Sequence, residues 1–298
     1  MQNKIHGALY GVMLGDALGM PVETMTRAQI LTALGPDGVT GFMNPKQTRV
    51  DDTKNMVAGD TTDDWQLAKV VLESLIASRG YNATHMIKAH CDTLIASTFG
   101  WGKGSVKSIQ MIIDGKRSGL VPPAKEKGVG LGNGVIMKIA PLALYHALRM
   151  EKKGLNPHLL LNSKRYTDDV RALGAITHSD QRAWISAYAV GIFIVAACRG
   201  ELNDPVQRHW WQCRVSEAVG LLEAFFVDNP AERVLEEKLS DVHMYLASPE
   251  KLVDRFGSRF TALETMPFVI GTFMRHPNDF RAGVLEAVNA GGDTDTNA

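Results

Sequence analysis

The chain is poor in cysteine. Three residues, Cys91, Cys198 and Cys213, are scattered among 298, odd in number and without CxxC spacing. That pattern suggests buried thiols in a reducing compartment. No charge-free apolar run reaches membrane-spanning length. The longest, Ala183 to Cys198, falls short of the roughly 20 residues a bilayer needs and is expected to be a central buried helix. The first residues, Met1-Gln2-Asn3-Lys4-Ile5-His6, lack the basic segment and apolar run of a signal peptide. There is no excess of either charge: 32 Lys and Arg balance 32 Asp and Glu. A global basic field that would recruit nucleic acid is therefore absent. A cytoplasmic protein without a nucleic-acid or membrane partner is expected.

Familiar catalytic motifs are missing as well. None of the nine histidines lies in HExxH, and His85 and His90, five residues apart, do not share a helix face. No G-x-S-x-G nucleophile elbow is present. Around Gly102-Lys103 a P-loop would need glycine at 97 and Ser or Thr at 104, where Ser97 and Gly104 stand. Gly128-x-Gly130 is followed by Asn133 instead of the third glycine of a dinucleotide fingerprint, and neither loop follows a convincing strand. A calcium EF-hand is excluded because no twelve-residue loop closed by glutamate follows the acidic segments.

Helical periodicity is what the chain does have. Ile5, Ala8, Leu9, Val12 and Met13 repeat at i, i+3, i+4, i+7 and i+8. Trp65, Leu67, Ala68, Val71, Leu72 and Leu75 form a similar face, and further helices are predicted over Thr84–Ser97, Val135–Met150, Thr167–Thr177, Arg182–Arg199, Gln207–Phe226, Asp228–Leu246, Ala262–Met274 and Asp279–Asn289. Alternating strand patterns are scarce, and Gly38–Phe42 is too short to count. No Pro/Ser-rich linker or repeat of fixed period divides the chain. An all-α bundle forming one domain, residues 1–298, is expected.

Two acidic clusters stand at opposite ends: Thr61-Thr62-Asp63-Asp64 and Gly291-Gly292-Asp293-Thr294-Asp295-Thr296. Each carries paired carboxylates and hydroxyls with no basic residue inside, a donor type that suits hard divalent cations. If folding joins them, four carboxylates share one site, and their repulsion calls for protons or cations. Thr62-Asp63-Asp64 also reads as a threonine N-cap with acids favoured by the helix dipole. Thr167-Asp168-Asp169 repeats the tripeptide, and there capping alone is expected. The second cluster reads either as a ligand turn or as a solvated terminal turn. In Gly15-Asp16-Ala17-Leu18-Gly19-Met20-Pro21-Val22-Glu23, Pro21 stops a helix and Gly19 permits a tight exit, which turns Glu23 toward a cleft as a candidate acid/base or leaves it as an exposed loop residue. The glycine loops Phe99-Gly100-Trp101-Gly102-Lys103-Gly104-Ser105 and Gly128-Val129-Gly130-Leu131-Gly132-Asn133-Gly134 offer backbone amides to anions, and Trp101 a face for stacking or a plain loop anchor. His178, at a helix end, is kept as a site candidate.

Taken in order, these segments resemble the ADP-ribosylglycohydrolase family, also called dinitrogenase-reductase-activating glycohydrolase-like. The resemblance rests on Gly11-x3-Gly15-Asp16-x2-Gly19-x3-Glu23, Thr62-Asp63-Asp64, Gly100-Trp101-Gly102, Gly132-Asn133-Gly134-x2-Met137-Lys138, Thr177-His178 and Gly291-Gly292-Asp293-Thr294-Asp295-Thr296-Asn297-Ala298. It implies an all-α orthogonal helix bundle with two magnesium or manganese ions in a central cleft. Thr62, Asp63, Asp64, Asp293, Asp295 and Thr296 are then the implied metal ligands, with Asp295 as the bridge. Glu23, Asp295 and Asp63 are the implied catalytic groups. Asp16, Gly100, Trp101, Gly102, Gly132, Asn133, Gly134 and His178 are the implied substrate-binding residues. The implied activity is hydrolysis of ADP-ribose from protein side chains, arginine first and serine as the alternative, by a monomer; a non-catalytic ADP-ribose-binding protein is the rival. Two departures stand out. Met137-Lys138 replaces the Met-Arg of many relatives, so a bidentate guanidinium contact is not expected. Relatives also continue past this point into a helix of small residues, so either a shortened chain or another element over that face is expected.

Overall fold

The computed structural model describes residues 2–45, 56–96, 101–124 and 130–298. It is 69% helical, with no strand among the described residues, as the periodicity requires. Helix α1 (Gln2–Gly19) leads through a 3-10 turn, Met20–Val22, into α2 (Arg27–Leu34). Then come α3 (Asp63–Ala77), α4 (Ala83–Ala96) and α5 (Lys103–Ile113). The middle of the chain forms α6 (Ala140–Lys152), α7 (Lys164–Ala175), α8 (Gln181–Cys198) and α9 (Pro205–Phe226). The last third forms α10 (Leu235–Asp241), α11 (Pro249–Phe256), α12 (Ala262–Arg275), α13 (Phe280–Ala290) and the one-turn α14 (Thr294–Asn297).

Helix α8 is the hub. By length and composition it is apolar enough to cross a membrane, yet 78% of it is buried inside the protein. It is apolar all round because α6, α7, α9 and α12 pack about it. Leu67, Ile139, Leu142, Tyr166, Tyr188 and Phe268 belong to the same continuous core. A smaller cluster, Val22, Ile30, Val39, Val284 and Val288, fastens α2 and α13 beside the end of α1.

The structure departs from the periodicity in three places, each for a local reason. The helix expected from Val135 starts at Ala140, because Pro141 fits a first turn but not a helix interior. Residues 134–138 form turns instead. The helix expected over Asp228–Leu246 is interrupted at Pro230, which opens a 3-10 turn capped by Asn229 before α10 begins. Thr167-Asp168-Asp169 lies inside α7 and caps nothing; Ser163 is the N-cap, accepting from Tyr166 N at 3.2 Å. There Asp168 pairs with Lys164 and the buried Asp169 with His146 and Arg165. Helices α2, α5, α11 and α14 were not foreseen from periodicity. Of these, α2 did carry a signal, the capping box between Thr26 and Gln29.

Candidate active site

Three segments converge on one acidic centre: the C-terminal half of α1, the N-terminus of α3, and the turn from α13 to α14. Their approach depends on glycine. A Cβ on Gly19 would overlap the Thr294 carbonyl and the Asp295 amide, so α1 can seat the acidic turn only with hydrogen at that position. Gly292, at φ +91°, takes the left-handed conformation that glycine adopts freely, and it lies against the Ser258 backbone. Thr294 Oγ1 then donates to Gly19 O at 2.7 Å, and Asp293 N to Ser258 O at 2.8 Å.

The same turn brings Glu23 in. Thr24 N donates to Gly292 O and Gly292 N to Met25 O, both at 2.8 Å, which lays residues 24–26 alongside 291–292. Thr24 is held at φ +71°, an uncommon conformation for a β-branched residue that costs on the order of 1–3 kcal/mol. Glu23 is 1% exposed, and three carboxyl oxygens, one each from Glu23, Asp293 and Asp295, lie within 4.8 Å of one another. Glu23 therefore faces the buried centre and is not an exposed loop glutamate. Asp293 and Asp295 are equally buried, which overturns the solvated-turn alternative.

Thr62 both caps α3 and joins the acidic centre. Its hydroxyl oxygen accepts from Asp64 N at 3.4 Å and lies 3.0 Å from Asp16 Oδ1, 3.3 Å from Asp64 Oδ2 and 3.4 Å from Asp295 Oδ2. One hydroxyl proton cannot serve three carboxylates. Asp64 Oδ1 is buried with no hydrogen-bond partner among the described residues. Burial and then the Asp295 charge push Asp64 well above the usual carboxylate range, and the same two causes raise Asp16 to about 7. Such a collection of buried, mutually repelling oxygen donors fits hard divalent cations, and Glu23, Asp293 and Asp295 offer oxygens close enough together to hold one. Thr296, half-buried, donates its amide to Asp295 Oδ1 at 3.0 Å.

Several residues assigned by resemblance to the substrate also hydrogen-bond the acidic segments. Asp16 is fully buried on α1 and accepts from Thr62 N at 2.9 Å and Trp65 N at 3.0 Å. It anchors the start of α3. Asn133 donates to Thr265 Oγ1 at 2.9 Å and to Asp293 Oδ2 at 2.6 Å, which orients a carboxylate of the centre. His178 is buried against Gly132 and Gly134, with Thr177 Oγ1 at 2.7 Å from its Nδ1. Burial, aided by Lys138, lowers its pKa to about 3 and keeps the ring neutral. Trp101 is buried and donates to Gln66 Oε1 at 3.3 Å; with Lys103, Lys107 and Met111 it lines a groove of about 490 Å³. Gly102 is exposed at the start of α5, and Gly100 lies outside the described residues, as do Gly128 and Val129.

One group near the centre was noticed only as a departure from relatives. Lys138 is fully buried, 3.4 Å from both His90 Nε2 and Thr177 Oγ1, and burial lowers its pKa to about 7 while Asp63 pulls it up. His90, held near 3 by burial and by Lys138, carried no signal in the sequence.

Comparison with known proteins agrees with this geometry. A solved structure described as an ADP-ribosylglycohydrolase-related protein complex superposes with a TM-score of 0.63 at 23% identity, covering 99% of this chain and 83% of that one, which shows the shared fold. The chain is 22% identical to ADP-ribosylhydrolase ARH3 of Gallus gallus over 321 residues, 98% of this chain and 82% of that protein. It is 24% identical to the uncharacterized protein YegU of Escherichia coli strain K12, with 98% and 84% covered, and 25% identical to an uncharacterized protein of Archaeoglobus fulgidus, with 99% and 84% covered. The ADP-ribosylglycohydrolase family model matches residues 1–298, and the chain therefore belongs to that family of hydrolases.

Proposed function

We propose that this enzyme is a metal-dependent hydrolase that removes ADP-ribose from modified arginine side chains of proteins. The observation that carries the reading is the meeting of Glu23, Asp293 and Asp295 within 4.8 Å, beside a Thr62 hydroxyl that also reaches Asp295. Two magnesium or manganese ions, when bound by Thr62, Asp63, Asp64, Asp293, Asp295 and Thr296, would supply Lewis acidity and a template for the ribose hydroxyls. Asp16 and Asn133 fix the ligand segments from behind. Glu23 takes a proton from the attacking water and returns it to the departing nitrogen as the bond at the anomeric carbon breaks. Water oxygen joins that carbon, so the products are free ADP-ribose and unmodified arginine.

The acceptor preference has an electrostatic basis. The buried carboxylates of Glu23, Asp63, Asp64, Asp293 and Asp295 make the centre negative, and a negative centre favours a guanidinium beside it. A serine O-glycosidic linkage offers no such cation and is the second substrate to try. The free thiols Cys91, Cys198 and Cys213 fit action in a reducing compartment such as the cytoplasm.

The test is incubation with arginine- and serine-linked ADP-ribosyl peptides, with and without chelator, followed by product analysis. Free ADP-ribose from the arginine peptide, lost with chelator and restored by manganese or magnesium, is expected. Release from the serine peptide alone reverses the acceptor assignment. Binding without release identifies a non-catalytic ADP-ribose-binding protein, and AMP or phosphate release identifies phosphohydrolase chemistry.

A further inference from the structure

Helix α9 presents two faces of different character. Trp211, Val215 and Val219 are buried in the core, and the buried Glu223 carboxylate accepts from Val234 N, Leu235 N and Glu236 N, which locks this face to α10. The opposite face carries large apolar side chains in water: Val206 is 74% exposed, Trp210 42%, Leu221 73% and Phe225 81%. At about 100° per residue, Val206, Trp210, Arg214, Glu217, Leu221 and Phe225 fall within about 100° of arc and make one stripe along the helix. Val206 and Glu217, Trp210 and Leu221, and Arg214 and Phe225 are each eleven residues apart, a spacing that keeps a stripe close to straight.

The order of residues in the stripe is the same problem read from either end. Two apolar residues precede the charge pair and two follow it, with steps of four, four, three, four and four. Turning a second α9 end for end about a two-fold axis at Val215–Ser216 sets Val206 opposite Phe225, Trp210 opposite Leu221, and Arg214 opposite Glu217. All three pairings share one register and occur twice. Arg214 and Glu217 already approach to 2.6 Å within one chain, on exposed side chains where such a pair contributes little. Across a two-fold axis the two pairs become a four-charge ring enclosed by apolar contacts.

We propose that α9 is a homodimer interface, with the stripes of two copies packed antiparallel in this register. The occupant is a second copy because the stripe complements itself in both apolarity and charge, as a closed isologous contact requires. The monomer expected from the sequence is replaced by this reading, which does not depend on the catalytic assignment.

Charge exchange tests it directly. Sedimentation or light scattering of the whole protein at about 50 µM should give a dimer of twice the 32.6 kDa chain. Arg214→Glu places four carboxylates at the axis and Glu217→Arg four cations, so each variant alone should be monomeric with an unchanged circular dichroism spectrum. Mixing the two monomeric variants should restore a dimer, since every cross-axis contact then joins opposite charges. The double variant Arg214→Glu/Glu217→Arg should dimerise as the parent does. A parent that is monomeric at this concentration overturns the proposal. So does a dimer indifferent to either single exchange, or a mixture that stays monomeric.

Discussion

The side-chain amide of Asn133 donates to Asp293 Oδ2 at 2.6 Å, joining a glycine loop to the terminal acidic turn across 160 residues of chain. The second amide hydrogen goes to Thr265 Oγ1, so the donor is fixed from both sides. Partners of this kind set ligand orientation, and their loss typically lowers metal affinity about 10–100-fold. Asn133→Ala should weaken manganese binding by that order in a calorimetric titration, with the fold intact. Unchanged affinity would show that Asp293 holds its place without the amide.

Asp295 faces Glu23 and Asp293 and approaches the Thr62 hydroxyl, whereas Asp168 is an exposed residue of α7 paired with Lys164. Asp295→Ala should abolish turnover, by at least about 100-fold, and sharply reduce metal binding. Asp168→Ala should leave both unchanged. Equal losses in the two variants would mean that stability is being measured, and the site assignment would fail.

The acidic centre also makes stability depend on pH. Asp16 is raised from 3.8 to about 7 in the folded protein, and Asp64 is also raised well above the usual carboxylate range, by burial and four neighbouring aspartates. A folded value above the unfolded one means that stabilisation by the bound proton is complete below 3.8 and is lost as pH climbs through about 7. Chelator-treated protein should therefore lose melting temperature between about pH 4 and pH 7. Magnesium or manganese takes over from the protons, so the gain in melting temperature on adding metal should grow over the same interval. A gain independent of pH would contradict the shared site.

Gly19 sits where a side chain would meet the Thr294 carbonyl and Asp295 amide, both backbone and unable to rotate away. Gly19→Val should displace the acidic turn, costing about 1–3 kcal/mol in denaturant unfolding. Metal affinity should fall with it. Full stability with normal metal binding would show that the turn docks elsewhere.

Lys138 is depressed from 10.5 to about 7 by complete burial. The stability it permits is present when the amine is neutral and is lost as pH falls from 10.5 through about 7. Lys138→Met keeps the approximate volume and removes the buried charge, so metal-free protein should melt higher, most clearly near pH 6. A lower melting temperature at that pH would indicate that Asp63 outweighs burial in holding the ammonium.

Much of this arrangement was legible in the residues, and its omissions have local causes. Periodicity located α1, α3, α4, α8, α9, α12 and α13 within a few residues, because each buries a broad apolar face. It failed at Pro141 and Pro230, where one ring overrides an otherwise helical pattern. The candidate ligands Asp63, Asp64, Asp293 and Asp295 were legible as unneutralised clusters. The hydrogen bonds of Asp16 and Asn133 to those segments were not, since the distant partner of a polar side chain is not written in the sequence.

The amino-acid order by itself determined the helical class, the two acidic clusters, and the glycines that let them meet. These are local properties, set by side-chain period, charge and steric bulk. Only the tertiary structure decided that Thr24 and Gly292 share hydrogen bonds, that Glu23 turns inward, and that Lys138 is buried beside His90. Those outcomes depend on which distant surfaces pack together, and that is fixed by the sum of many contacts across the fold rather than by any single stretch of residues.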